Sequence, residues 1–185
     1  MDFFLMSQDM DFQNIVSIRR EEIPETWRST RGIERRHYPS AKDFLGKNCN
    51  ILVESNRQNL YPDFLEFPVP LLSTTLKDVF ISYVPGLPCS CVLLSDQKER
   101  QQHTYWVFEV ECLDCLADGT EYYPDGTWKK MVLDEKRIGA KAIFRVNGTV
   151  QKPVIIRRDV AESILRRSML GIKLECVEAE RLQSG

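Results

Sequence analysis

Apolar and polar positions alternate along the chain in short blocks, and the period of each block separates strands from helices. Apolar, β-branched and aromatic runs predict strands at residues 3–6, 49–54, 89–94, 105–113, 142–146, 149–156 and 172–177. Within 105–113 the pattern sets Trp106, Phe108, Val110 and Cys112 on a buried face and Tyr105, Val107, Glu109 and Glu111 on a solvated one. Two blocks have the helical period instead. Leu76, Val79, Phe80 and Tyr83 fall at i, i+3, i+4 and i+7 behind the N-cap candidates Ser73, Thr74 and Thr75; Thr75 with Asp78 resembles a capping box, and Pro85-Gly86 is the stop. Asp159 is the expected cap of a second helix, with Glu162 completing a box-like pair; Val160 and Ile164 face the core, with Ala161 and Leu165 as further candidates. Gly171 ends it before a last strand with Ile172, Leu174 and Cys176 on one face.

Turn chemistry joins these blocks. Residues 114–128 read as a polar loop or hairpin end with a turn at Pro124-Asp125-Gly126. Asn147-Gly148 suits a type I′ turn and makes 142–156 a hairpin, with Pro153 at an edge or just outside the ladder. Residues 61–70 form a proline-rich extended connector. Residues 13–48 differ in character: Arg19, Arg20, Arg28, Arg31, Arg35, Arg36, Lys42 and Lys47 stand among the breakers Pro24, Gly32, Pro39 and Gly46, with few clustered apolar positions. This predicts a peripheral basic segment, loosely structured or packed on the surface and pinned by Trp27, Tyr38 and Phe44. The whole reads as a single α+β domain over residues 1–185, an antiparallel or mixed sheet with at least two packed helices and that peripheral N-terminal region. One pattern occurs twice, at 68–94 and 153–177: a proline-containing extended segment, a capped helix, a glycine, then a strand. Two copies of one unit and chance explain this about equally well.

At 185 residues a chain buries roughly 70% of its unfolded surface, so the core needs no metal or disulfide. The net charge of −2 does not suit a generic nucleic-acid binder, and Glu21, Glu22, Glu25 and Glu34 neutralise the N-terminal arginines. The opening residues have no basic n-region and acids interrupt their apolar run at once, unlike a signal peptide. No stretch approaches the ~20 apolar residues of a membrane span. The expected compartment is therefore the cytoplasm. There the six cysteines should be free thiols, and Asn147-Gly148-Thr149 is a turn, not a glycan site.

Four of those cysteines, Cys89, Cys91, Cys112 and Cys115, fall in two close pairs that could hold tetrahedral zinc. Against this, Cys89 and Cys91 share one face of a strand, and no Gly or Pro turns the chain between Cys112 and Cys115. Buried structural thiols are the plainer reading, with zinc or a redox pair as the alternatives. A Cys–His enzyme would have to use His37 or His103, which both read as surface residues. Glu109 and Glu111 share a strand face, and no glycine-rich phosphate loop precedes a helix. The sequence therefore predicts no catalytic residues, no metal ligands and no cofactor.

Charge distribution is more informative. Residues 105–128 carry Glu109, Glu111, Asp114, Asp118, Glu121 and Asp125 but no Lys or Arg, and Tyr122, Tyr123 and Trp128 lie beside those acids. Acid–aromatic surfaces suit a basic protein partner, because charge steers encounter and aromatic anchors supply binding energy. The competing reading is a solvated hairpin with its aromatics folded back. The partner-binding candidates are Asp114, Asp118, Glu121, Tyr122, Tyr123 and Asp125.

Several strings resemble one family. Residues 130–136 (KMVLDEK), 142–146 (AIFRV), 154–159 (VIIRRD) and, after a helix, 171–177 (GIKLECV) resemble the ending of immunity proteins from bacterial polymorphic-toxin systems. Residues 3–7 (FFLMS) and 70–74 (PLLST) are similar to their opening and to their helix start. The likeness covers roughly two thirds of the chain and leaves residues 13–60 without a counterpart. It implies a stoichiometric inhibitor, not an enzyme, that binds a cognate protein toxin and blocks its active site or substrate access. It supplies no fixed interface residues and no toxin chemistry, and it leaves self-association open.

Overall fold

The computed structural model describes residues 1–19, 49–67, 69–149 and 152–180. In chain order the elements are β1 (Phe3–Gln8), β2 (Cys49–Leu52), β3 (Phe64–Leu65), β4 (Leu71–Ser73), α1 (Thr74–Tyr83), β5 (Cys89–Asp96), β6 (Gln101–Phe108), β7 (Cys112–Leu113), β8 (Glu121–Tyr122), β9 (Trp128–Lys130), β10 (Val132–Asp134), α2 (Glu135–Ile138), β11 (Ile143–Val146), β12 (Val154–Arg157), α3 (Arg158–Leu165) and β13 (Ile172–Glu180). Among the described residues the protein is thus mixed α/β, dominated by sheet. Of the predicted peripheral segment, Ile15, Val16 and Ile18 pack onto the body. Trp27, Tyr38 and Phe44, His37 and the arginines from Arg20 to Arg36 lie outside the described residues.

Packing, more than helix-end chemistry, makes α1. Its first turn has no acid and its last no base, so the macrodipole gains nothing from charge. Leu76, Val79 and Phe80 are buried, and each such side chain contributes about 1.5–3 kcal/mol. The start is fixed by Ser73, whose hydroxyl accepts the Leu76 amide at 3.2 Å. Thr75, the expected box residue, is therefore already inside the helix.

Two sheets share one spatial arrangement over five strands, with β1 in the place of β6 and β7 added to the second. The first has the order β2-β5-β6-β4-β3, and the second β10-β13-β1-β12-β11-β7. In each, the outer strand pairs in parallel with its neighbour (β2 with β5, β10 with β13), and the next three pairings are antiparallel. In each, a helix crosses between two parallel strands that flank an antiparallel one: α1 from β4 to β5 around β6, and α3 from β12 to β13 around β1. The repeated sequence pattern at 68–94 and 153–177 thus marks two split β–α–β units. Both helices enter the central core with Phe64, Leu72, Phe108, Ile143 and Ile156, and the Tyr83 hydroxyl donates to the Asp159 carbonyl at 3.0 Å. The second sheet also curls: Leu116, just after β7, bridges Leu133 of β10, joining its two ends. Phe3, Leu133, Phe144, Val146 and Ile155 fill the space inside.

Several local expectations change. Residues 105–113 are not one strand. β6 ends at Phe108, and β7 joins the other sheet against Arg145 and Val146. Because one face of β6 packs with Val16, Ile18, Ile51 and Leu65, Tyr105 and Val107, expected in solvent, are buried, while Cys112, expected inside, is exposed. The 147–148 turn is not a two-residue one: the Val146 amide donates to the Pro153 carbonyl, so a longer loop closes the β11–β12 hairpin. Leu165 is 71% exposed and not in the core. α3 starts at Arg158 with Arg157 as its N-cap, so Asp159 is not the cap but lies in the first turn; the helix ends at Leu165, so Gly171 (φ +71°) instead turns the chain into β13.

Candidate functional site

The acid–aromatic stretch folds as a small hairpin of β8 and β9 beside the curled sheet. Its turn is built as the sequence specifies. Gly126 takes φ +80°, its amide donates to the Tyr123 carbonyl, and Asp125 Oδ1 accepts both the amide (3.0 Å) and the hydroxyl (2.6 Å) of Thr127. Those bonds hold the Asp125 carboxyl below its usual range. At the tip Tyr122 and Tyr123 are 46% and 52% exposed, whereas Trp128 packs inward on the Phe3–Phe144 core.

The fold adds counter-charges that the unbroken run of acids does not suggest. Across the turn, Lys129 Nζ lies 2.9 Å from Glu121 Oε2 and holds that carboxyl below its usual range. Lys130 pairs with Glu178 at 2.8 Å. The pairing of residues across Pro124-Asp125-Gly126 was the signal that could have revealed the first; the Lys130–Glu178 pair depends on β13 and had no such signal. Asp118 and Asp125 carry no ion pair among the described residues. Four candidates, Glu121, Tyr122, Tyr123 and Asp125, therefore share the hairpin. Asp118 is exposed and precedes Gly119, which packs against Val132. Asp114 sits apart, accepting a 2.6 Å hydrogen bond from the Asn147 side chain at the β11–β12 loop.

The alternative chemistries fare differently. Cys89 and Cys91 lie on β5, opposite Phe108 and Trp106, whereas Cys112 lies on β7 in the other sheet. Among the described residues no group of three or more His, Cys, Asp or Glu side chains is placed to hold a metal ion. Burial raises the thiols of Cys49, Cys89, Cys112 and Cys115, the opposite of nucleophile activation. His103 stacks on Tyr61 at 3.5 Å between ring centroids, and burial lowers its pKa. A polar hollow lined by Asn50, Ser95, Asp96 and Gln102 lies at the end of β5 and β6. Its buried acid, Asp96, serves the turn: Oδ1 accepts the Lys98 and Glu99 amides.

No protein-family model matches the chain, and no curated protein matches it in sequence. No described helix is long and apolar enough to cross a membrane.

Proposed function

We propose that the chain is a stoichiometric binding protein of the immunity type, holding a basic toxin domain against the β8–β9 hairpin in the bacterial cytoplasm and covering the toxin's active site or substrate path. The observation that carries this reading is the pair of exposed rings at the hairpin tip, Tyr122 and Tyr123, in the same hairpin as the carboxylate of Asp125. Two adjacent tyrosines at about half exposure offer large rigid contact area at little entropic cost. Asp118 and Asp125, which carry no ion pair among the described residues, add negative charge that speeds encounter with a basic surface. Glu121, already neutralised by Lys129, contributes less to that field than its sequence position suggests. The resemblance of the carboxy-terminal strings to immunity proteins supports the same reading.

The test is association kinetics with the carboxy-terminal domain of any toxin-like protein that a neighbouring open reading frame is found to encode. Replacing Asp118 and Asp125 by Lys should slow association and flatten its salt dependence, while Glu121→Lys has a smaller effect. Equal on-rates for all variants would remove the hairpin from the interface.

A further inference from the structure

We propose that two copies of this chain pair through the outer edge of β13, antiparallel about a two-fold axis at Leu174. Residues 172–177 bond to β1 on one side only, since β10 takes up the other side of β13 from Glu178 onward. The equivalent strand of the first unit is better covered, because β2 pairs with β5 from Val92, its fourth residue. Among the described residues no strand covers the second edge of 172–177. The Asp9 amide donates to the Gly171 carbonyl, so by alternation Lys173, Glu175 and Val177 bond to β1. The amides and carbonyls of Ile172, Leu174 and Cys176 therefore face outward.

The side chains along this edge complement a second copy of themselves. With Leu174 on the axis, Lys173 stands opposite Glu175 of the other copy, and the reverse contact repeats it. Within one chain the same two side chains already pair at 2.9 Å while half-exposed, so the dimer makes a square of alternating charges. Edges protected against pairing carry like charges or lone lysines; here the alternation invites a mate. On the other face Phe4, Ala161, Leu165, Ile172 and Leu174, together with the charged Asp2, Arg158 and Glu162, line a hollow of about 450 Å³. A two-fold axis perpendicular to the sheet keeps both copies of α3 on that face. Leu165, 71% exposed in one chain, lines the same hollow as Leu174 and so shares that face with the doubled seam.

Light scattering on the purified chain should give twice 21.5 kDa. Lys173→Glu and Glu175→Lys should each yield monomer, and the double exchange should restore the dimer. Ile172→Cys should cross-link under mild oxidant to Cys176 of the second copy, because that hydrogen-bonded pair spans about 5.5 Å between Cα atoms; adding Cys176→Ser should abolish it. A monomeric wild-type chain, a dimer indifferent to both charge reversals, or a monomer that takes up an unrelated extended peptide along β13 would overturn the pairing.

Discussion

Asp63 accepts the Ser73 hydroxyl at 2.5 Å through one oxygen and the Leu170 amide at 2.8 Å through the other. One carboxylate thus fastens the start of α1 to the loop that leads into β13, and so joins the two split β–α–β units. Asp63→Ala should cost about 2–3 kcal/mol, since it strips two charge-assisted bonds. Ser73→Ala should cost about 1 kcal/mol as a lost cap. Because the residues share a bond, the double variant should lose less than the sum in urea unfolding. Additive losses would mean the two act independently.

Gly171 lies against Pro62 so closely that a Cβ there would overlap the proline ring. Gly86 has a similar φ of +76° but open space around it. Gly86→Ala should therefore lose only the backbone term of roughly 1 kcal/mol. Gly171→Ala should lose clearly more and disturb the Pro62 carbonyl, which accepts the Tyr105 hydroxyl at 2.7 Å. Thermal unfolding of the two variants gives the comparison, and equal losses would refute the steric account.

Much of the architecture is legible in the sequence, and what is not has physical causes. The apolar period locates α1, α3 and most strands, and the Pro124-Asp125-Gly126 turn holds. β10 and α2 escape because they are short; only Asp134, whose Oδ1 takes the Lys136 amide at 2.9 Å, signals a helix start. Tyr105 and Val107 read as a solvated face because alternation assumes one wet side, and nothing local shows that Val16 and Ile18, far earlier in the chain, pack with it. At the candidate surface, composition shows the acids and tyrosines, but only strand pairing reveals that Lys129 answers Glu121. The separation of Asp114 from the hairpin is likewise a tertiary fact.

Burial pushes the Cys115 thiol up to about 11. At neutral pH Cys115 should resist iodoacetamide, whereas the exposed Cys176 should label. Peptide mass spectrometry distinguishes them. Rapid modification of Cys115 would reopen a role for the thiols in catalysis.

Arg157 clasps Asp159 through two hydrogen bonds, at 2.8 and 2.6 Å, and holds the carboxyl below its usual range. A folded-state value below the unfolded one means the stabilisation is present above the ordinary carboxylate pKa and is lost as pH falls through the depressed value. Asp159 is 45% exposed, so solvent screening limits the effect to under about 1 kcal/mol. The stability gap between wild type and Asp159→Asn should be constant near neutrality and shrink below about pH 4. A gap that widened in acid would contradict the pairing.

The most direct measurement is calorimetric titration of the chain with the carboxy-terminal domain of any toxin-like protein found in the neighbouring reading frame, using wild type and the Tyr122→Ala/Tyr123→Ala variant. The account predicts one-to-one binding that the double variant weakens by at least about 100-fold, near the 2.7 kcal/mol expected of paired aromatic anchors. Absence of binding by the wild-type chain, or equal affinity for both forms, would contradict it.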